Sequence, residues 1–227
     1  MGVEIPKQFL DLDGVPLVVF TLRRLAACPL IDEFIVATRM DDVASLQDRV
    51  SLARLGKPVR VVHGGDSRQE SVANALAQAA PHTEIVVVHD AVRPLVTAQQ
   101  TERVIAEARA RGAAILGIPA IDTVKEVKRA SLPEDVALIV ATVPRERIVL
   151  AQTPQAFSFA LLREAFARAK ADGVTSSDEA SMVERLGHDV FVVLGSERNL
   201  KITRPADMDL ARFYLEQERA EKREKKA

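Results

Sequence analysis

Hydrophobic and polar positions along this 227-residue chain alternate between short apolar runs and longer segments of helical periodicity. Three apolar runs, at 34–37, 59–62 and 85–88, are rich in β-branched residues and bounded by turn residues, as buried strands are. Each run is followed by a segment whose apolar positions recur every three or four residues. This order of strand and helix predicts a doubly wound α/β fold, with a mostly parallel sheet and helices on both faces.

The same patterns predict the remaining elements. Helices are expected at 15–27, 42–55, 67–80, 98–111, 158–170, 178–186 and 206–219, and further strands at 113–118 and 190–194. Between 121 and 151, two strand-like runs at 123–127 and 139–143 flank a polar stretch that contains proline, which predicts an inserted β-hairpin. We expect one domain over 1–227, with the charged residues 218–227 as a solvated, disordered tail.

Composition narrows the classes of function. Hydrophobic residues make up 48% of the chain and charged residues 28%, which is usual for a globular domain. A formal net charge of −1 gives no overall electrostatic basis for binding nucleic acid. No apolar run reaches the roughly 18 to 20 residues of a membrane span, and the single Cys28 excludes an internal disulfide. We therefore expect a cytoplasmic protein that binds neither nucleic acid nor membrane.

Polar residues follow two of the predicted strands, at the sheet edge where ligands bind in open α/β folds. Asp90 stands two residues after the run at 85–88, and its carboxylate suits a Mg²⁺ ion or a sugar hydroxyl. A turn residue that caps its neighbours is an equal alternative. Arg93 favours an anion site, because its planar fork matches phosphate oxygens. Gly65 and Asp66 open a helix where backbone N–H groups can approach a nucleotide, although a plain strand-to-helix turn explains them better.

Two further patterns predict no site. His63 and His89 each end a strand-like run, but no Cys or third His accompanies them at the spacing of metal ligands. Asp178 and Glu179 are neighbours at the start of a predicted helix, and adjacent side chains on a helix point apart. We therefore expect these two carboxylates to cap the helix and not to share acid–base work.

Four segments carry a resemblance to a known family: MGVEIPKQ at 1–8, HDAVRP at 89–94, TPQ at 153–155 and NLKITRP at 199–205. In this order they resemble the cytidylyltransferase family of the non-mevalonate isoprenoid pathway, which joins 2-C-methyl-D-erythritol 4-phosphate to CTP. The resemblance extends from Met1 to about Tyr214. It implies a Rossmann-like nucleotidyltransferase fold, Mg²⁺ bound with CTP, and a homodimer in which the β-arm at 121–151 clasps the partner subunit.

The resemblance also implies roles for individual residues. Lys7 looks like the lysine that stabilises the pentacoordinate phosphorus. Arg145 and Lys201 look like residues that position the methylerythritol phosphate, and Arg145, on the arm, is expected to serve the partner's active site. The residues at the family's sugar-phosphate contacts are Asp90, Arg93, Thr123, Thr153 and Ser177, the last of which is often Thr in the family. The residues at its ribose and base contacts are Gly65, Asp66 and Ser71.

Two alternatives stay open. Ribitol 5-phosphate cytidylyltransferases share similar segments, but the strings at 177–181 and 203–205 are closer to the isoprenoid enzymes. In the isoprenoid family a strand and a glycine-rich, arginine-bearing phosphate loop precede the Met-Gly pair, whereas this sequence begins at Met1. A catalytically impaired dimeric homologue is therefore the other alternative. It carries the expectations that this chain alone binds CTP poorly and that the coding start lies further upstream.

Overall fold

The computed structural model describes residues 6–128, 133 and 135–224. The strands are β1 (Asp11–Leu12), β2 (Val15–Pro16), β3 (Phe34–Thr38), β4 (Val59–His63), β5 (Ile85–Val88), β6 (Ala113–Pro119), β7 (Val124–Lys128), β8 (Leu138–Val143), β9 (Val149–Ser158) and β10 (Phe191–Leu194). The helices are α1 (Leu17–Ala26), α2 (Val43–Leu52), α3 (Arg68–Leu76), α4 (Ala98–Arg111), α5 (Phe159–Ala171), α6 (Glu179–Arg185) and α7 (Pro205–Glu224). None of these helices is long and apolar enough to cross a membrane.

The strands of the core form two separate sheets. One contains β3 and β4, which pair in parallel, and the other has the order β10–β6–β9–β5. Strand β10 is parallel to β6, whereas β9 runs antiparallel to both of its neighbours. Strands β5, β6 and β10 therefore share one direction. The structure confirms the predicted mixed α/β class, with one long antiparallel strand within the larger sheet.

Strand β9 is absent from the sequence-based prediction, which ended the inserted hairpin at residue 151 and began a helix at 158. The central part of β9 is polar, so it lacks the apolar alternation of a strand. Gln155 is nevertheless only 1% exposed. Its side-chain amide donates to Asp178 at 2.9 Å and accepts from the backbone N–H of Ala180 at 3.1 Å. These hydrogen bonds compensate for the burial of its polar group.

The inserted segment forms a hairpin. Strands β7 and β8 pair antiparallel from Val124 opposite Val143 to Lys128 opposite Leu138. Residues 129–132 and 134, which fall in the polar stretch between these strands, lie outside the described residues. The hairpin contacts its own chain mainly through the pairing of its two strands, so its side chains are largely exposed.

The carboxyl-terminal helix is longer than the sequence suggested. Helix α7 extends to Glu224 in place of the predicted disordered tail, and 225–227 lie outside the described residues. Glu218 accepts two hydrogen bonds from Arg24 at 2.9 and 2.5 Å, and Lys222 donates to it at 2.6 Å. The two charge-assisted bonds from Arg24 tie the last turns of α7 to α1, and the bond from Lys222 lies within α7.

A cleft of about 1120 Å³ separates the two sheets. Strands β3 and β5 both line it, and helices α1 and α3 supply apolar side chains such as Leu22 and Leu76. Within the described ranges, β3 pairs with β4 alone and β5 pairs with β9 alone, so each strand presents its other edge to the cleft. Beyond the carboxyl end of β5, four of the predicted site residues line the cleft: Gly65, Ser71, Asp90 and Lys201.

Candidate active site

Asp90 occupies the centre of the site, two residues after the end of β5. Its Oδ1 lies 3.3 Å from Arg68 Nε, at the start of α3. Its Oδ2 lies 3.4 Å from Arg93 Nε and 3.1 Å from Lys201 Nζ. Burial alone raises the pKa of this carboxyl, but the three cations outweigh burial and hold the pKa below its ordinary value. Asp90 is therefore ionised at neutral pH.

Asp90 is supported by Thr153, on β9, and by His89, the residue before it in the chain. The Thr153 hydroxyl accepts the backbone N–H of Asp90 at 3.1 Å and lies 3.0 Å from His89 Nδ1. His89 Nε2 lies 3.1 Å from the carbonyl oxygen of Arg93, so Nε2 carries the proton and Nδ1 accepts from the threonine hydroxyl. Burial lowers the pKa of His89 to about 4, which keeps the ring neutral and in this tautomer.

The segment after β10 brings the two predicted lysines into one region. It is anchored where Arg93 Nη1 donates to the carbonyl of Asn199 at 2.8 Å. The side chain of Lys201, from this segment, is 42% exposed beside Asp90. Lys7 Nζ donates to the carbonyl of Thr203 at 2.8 Å. Lys7 therefore contacts the short segment that carries Lys201, although the two lysines are 194 positions apart in the sequence.

Two of the predicted nucleotide-binding residues, Gly65 and Asp66, lie in the turn between β4 and α3, and the third, Ser71, lies at the start of α3. The backbone N–H of Gly65 donates to Ser71 Oγ at 3.1 Å, and that of Asp66 donates to Glu70 Oε2 at 2.8 Å. A Cβ atom on Gly65 would lie 2.3 Å from Glu70 Cβ, so this close turn requires glycine. Ser67 caps α3 by accepting from Glu70 N at 3.1 Å, which leaves the Asp66 carboxylate exposed to solvent.

Three predicted site residues stand apart from the Asp90 cluster. Thr123 is exposed at the base of the hairpin. Arg145, in a short turn after β8, donates to the carbonyl of Ile121 and is exposed. Ser177 is exposed just before α6. Among the described residues, none of the three has a side-chain hydrogen bond or ion pair with Asp90, so their predicted contacts with substrate stay predictions.

Sequence reasoning missed two charged residues of the site. Both carboxylate oxygens of Glu179 accept from Arg68, at 2.7 and 3.0 Å. Glu179 is 1% exposed, so the expectation that it is merely a capping residue was wrong. Asp178 does cap α6, because its side chain accepts from Ser181 N at 3.1 Å. No local signal relates Arg68 to Glu179, since 111 positions separate them.

The site offers no protein ligand set for a resident metal ion. Within 6–128, 133 and 135–224, no three His, Cys, Asp or Glu side chains come together as metal ligands would. Among the carboxylates, the sequence suggested Asp90 as a ligand of Mg²⁺. Its two oxygens already face three cationic side chains, which repel a further cation.

The arrangement is suited to bind phosphate. Three cations, Arg68, Arg93 and Lys201, outnumber the two carboxylates that they contact, and Lys7 adds a further positive charge nearby. A positive cluster at the carboxyl edge of an α/β sheet, beside a glycine turn that opens a helix, defines a site of the nucleotide-binding, phosphate-handling class.

Comparison with known proteins identifies the family within this class. The chain matches the family model "IspD: 2-C-methyl-D-erythritol 4-phosphate cytidylyltransferase" over residues 1–217. A protein of that name from Acidobacterium capsulatum is 52% identical over 213 residues, which cover 93% of this chain and 88% of the relative. A second, from Solibacter usitatus, is 49% identical over 214 residues, or 94% of this chain and 86% of the relative.

Solved structures agree. A crystal structure of 2-C-methyl-D-erythritol 4-phosphate cytidylyltransferase from Thermus thermophilus superposes with a TM-score of 0.74 at 35% identity, covering 92% of this chain and 93% of that one. A 4-diphosphocytidyl-2C-methyl-D-erythritol synthase from Anaerococcus prevotii gives a TM-score of 0.82 at 27% identity, with the same coverages. The chain belongs to the 2-C-methyl-D-erythritol 4-phosphate cytidylyltransferase family, and the enzyme class is nucleotidyltransferase.

Proposed function

We propose that this protein transfers a cytidylyl group from CTP to 2-C-methyl-D-erythritol 4-phosphate, giving 4-diphosphocytidyl-2-C-methyl-D-erythritol and pyrophosphate in isoprenoid precursor biosynthesis. Family membership supports the two substrates. The observation that carries the proposal for this chain is the positive cluster around Asp90, together with Lys7, at the edge of the sheet. That cluster has the charge that two phosphate-bearing substrates require.

In the proposed reaction an oxygen of the sugar phosphate attacks the α-phosphorus of CTP in line. The new P–O bond forms as the bond from the α-phosphorus to the bridging oxygen breaks, and pyrophosphate leaves with that electron pair. The attacking oxygen is already ionised at neutral pH, so the step needs no general base. Catalysis then depends on positioning and on cations that neutralise the developing charge. We assign this role to Lys7 and Lys201, with Lys7 directed at the α-phosphate.

We assign the acceptor to the region of Asp90 and Arg93. The ionised Asp90 carboxylate is an acceptor for sugar hydroxyls, and the Arg93 guanidinium adds positive charge beside the acceptor's phosphate. Thr153, which is buried on β9, fixes the backbone of Asp90. Ser177, exposed before α6, is proposed as a further contact with the sugar phosphate.

We assign the cytidine half of CTP to the turn before α3. Gly65 allows close approach of the backbone, the exposed Asp66 carboxylate can accept ribose hydroxyls, and Ser71 stabilises the turn. The divalent cation is proposed to enter as the Mg²⁺ salt of CTP, held mainly by the nucleotide's phosphates, as Mg²⁺ is where a protein supplies few ligands of its own.

We further propose that the protein acts as a homodimer through the β7–β8 hairpin. Side chains on both faces of β8 are exposed: Leu138 is 60%, Ile139 57% and Val140 50% exposed. A contiguous apolar surface of this kind is typical of an interface. Arg145 and Thr123, which stand at the base of this hairpin, would then contact the acceptor in the partner's site. We place the enzyme in the cytoplasm, where CTP and a reduced Cys28 are expected.

The function is tested by the release of pyrophosphate. The purified chain is incubated with CTP, Mg²⁺ and either 2-C-methyl-D-erythritol 4-phosphate or ribitol 5-phosphate. We expect pyrophosphate in equal amount to the cytidylyl product, and a higher kcat/KM with methylerythritol phosphate. Lys7→Ala should lower kcat by about 10²- to 10³-fold, as the loss of a group that stabilises transition-state charge does.

Lys170→Ala is the matched control, because Lys170 is an exposed lysine in the last turn of α5, on an element outside the site. It should leave kcat unchanged. A higher kcat/KM with ribitol 5-phosphate would reassign the acceptor. No pyrophosphate with either acceptor would overturn the proposed activity.

A further inference from the structure

Arg68 and the buried Glu179 form a partly buried ion pair that joins the start of α3 to the start of α6. The two terminal nitrogens of Arg68 donate to the two carboxylate oxygens of Glu179, at 2.7 and 3.0 Å. Burial raises the pKa of Glu179, against the opposing effect of the Arg68 guanidinium. A bidentate pair of this geometry fixes the plane of the guanidinium. Three N–H groups of Arg68 stay outside this pair, among them Nε–H, which can donate to another acceptor.

That acceptor is Asp90. Arg68 Nε lies 3.3 Å from Asp90 Oδ1, so one guanidinium bridges two carboxylates on different elements. Asp90 Oδ2 faces Arg93 and Lys201 instead. The orientation of the Asp90 carboxylate therefore depends on Arg68 at one oxygen, and the orientation of Arg68 depends on Glu179.

Glu179 itself has little freedom to move. It is the first residue of α6, and the start of that helix is held by β9. Gln155 accepts from Ala180 N at 3.1 Å and donates to Asp178 at 2.9 Å. Asp178 in turn caps the helix at Ser181 N. The strand that carries Thr153, which supports Asp90 from one side, therefore also fixes the residue that directs Arg68 from the other.

A buried ion pair adds little to stability, because the cost of removing both charges from water offsets their attraction. We propose that Arg68 and Glu179 are positioning residues, which hold Asp90 Oδ1 in the direction that receives a hydroxyl of the acceptor. This inference rests on the proposed function for the identity of the acceptor. The other part of the inference, that Arg68 orients the Asp90 carboxylate, rests on the contact between these two side chains alone.

Two variants separate positioning from stability. Glu179→Gln removes one of the two oxygens that fix the plane of the Arg68 guanidinium. The double variant Arg68→Met/Glu179→Leu removes both charges with side chains of similar size, so that no unpaired charge stays buried. In both, the KM for 2-C-methyl-D-erythritol 4-phosphate should rise about tenfold, the effect of one lost hydrogen bond. The KM for CTP should change by less than about twofold, since the turn at Gly65 is untouched. Arg68→Lys, which keeps the charge without the fork, should give an intermediate KM.

The matched control is Glu107→Gln, which breaks an exposed pair in which Arg111 Nε lies 2.8 Å from Glu107. Both Michaelis constants should match those of the wild type. If the double variant keeps the wild-type KM for the acceptor, or if Glu179→Gln lowers only the Tm, the pair is structural and the inference is wrong.

A titration measures the effect of the Arg68 charge on Asp90 without turnover. The pKa of the Asp90 carboxyl is followed by carbon-13 NMR, with Asp90→Asn to assign its resonance. In the double variant this pKa should rise, because one of the three cations that lower it is gone. An unchanged pKa would show that Arg68 does not act on Asp90. If the wild type releases no pyrophosphate, the proposed function fails, and this titration still decides whether Arg68 controls Asp90.

Discussion

At the scale of single residues, the protonation state of the His89 ring affects how Asp90 is held. Its neutral Nδ1 accepts from Thr153, which leaves the threonine oxygen to accept from Asp90 N–H. A second proton on the ring would remove that acceptor. The neighbouring charges are those of Asp90, which favours the protonated ring, and Arg93, which opposes it, but burial outweighs both. The ring therefore stays neutral far below its ordinary pKa.

This neutral ring predicts a loss of stability in mild acid. Its pKa is about 4 in the folded protein and 6.5 ordinarily, so between these pH values the unfolded chain binds a proton that the folded protein does not. The contribution to stability is complete above pH ~6.5 and falls as the pH is lowered toward 4. We expect the free energy of unfolding in urea to drop by roughly 2 to 3 kcal/mol over this range from His89 alone.

The comparison uses His89→Gln, whose amide keeps a donor near the Arg93 carbonyl but does not titrate. The free energy of unfolding of this variant should change less between pH 6.5 and 4.5 than that of the wild type. His63→Gln, at an exposed histidine that ends β4, should keep the wild-type dependence. Equal slopes for His89→Gln and the wild type would mean that the buried ring does titrate normally.

Some residues of the site can be identified from motifs in the sequence, and others cannot. The residues that the motifs identified and the structure brings to one region are Lys7, Asp90, Arg93, Thr153 and Lys201. Each stands in a contiguous string of fixed pattern. Arg68 and Glu179 were missed because their relation exists only through folding, across 111 positions. A single sequence gives no measure of such a pairing.

At the scale of elements, prediction succeeded where local signals were complete. Helix α4 begins after Thr97, which forms a capping box with Gln100, and ends at Gly112, whose φ of +93° few other residues adopt. Its predicted bounds, 98–111, match the structure. Strand β9 was missed because its central residues are polar and show no alternation with apolar ones. Their hydrogen-bond partners lie at the start of α6, too far along the chain for a local hydrophobic pattern to reveal.

The β7–β8 hairpin allows a direct test of the proposed homodimer. Leu138 and Val140 share one face of β8 and are exposed in the single chain. If that face meets a second subunit, Leu138→Lys/Val140→Lys places two charges in the interface. We expect light scattering to give the 24.8 kDa mass of one chain for this variant, against twice that mass for the wild type. Activity should fall with the dimer, because Arg145 would no longer reach a partner's site.

Leu52→Lys, at a side chain 82% exposed on α2, is the matched control and should remain a dimer. A wild type that is monomeric, or a double variant that remains dimeric, would remove the hairpin from the interface.

At the scale of the whole molecule, the division into two sheets is the main departure from the expected single sheet. The facing edges of β3 and β5 line one cleft, and edges of this kind are open to pairing with another strand. The hydroxyl of Thr38, at the end of β3, is buried without a hydrogen-bond partner in the described part of the chain. Gln8, near the start of the described chain, also lines this cleft. A segment joined before Met1 could therefore enter it.

We predict that an apolar, strand-forming segment, followed by a glycine-rich turn with an arginine and joined before Met1, will fill this cleft. It would pair with β3 and β5 and unite the two sheets, and its turn would add N–H donors for the phosphates of CTP. Thermal unfolding should show a Tm higher by about 4 °C or more, and calorimetry a Kd for CTP lower by about tenfold or more. An extension of equal length made of glycine and serine is the control, since it has no apolar side chains to bury. Equal Tm and Kd for the two extensions would mean that the cleft does not accept a strand.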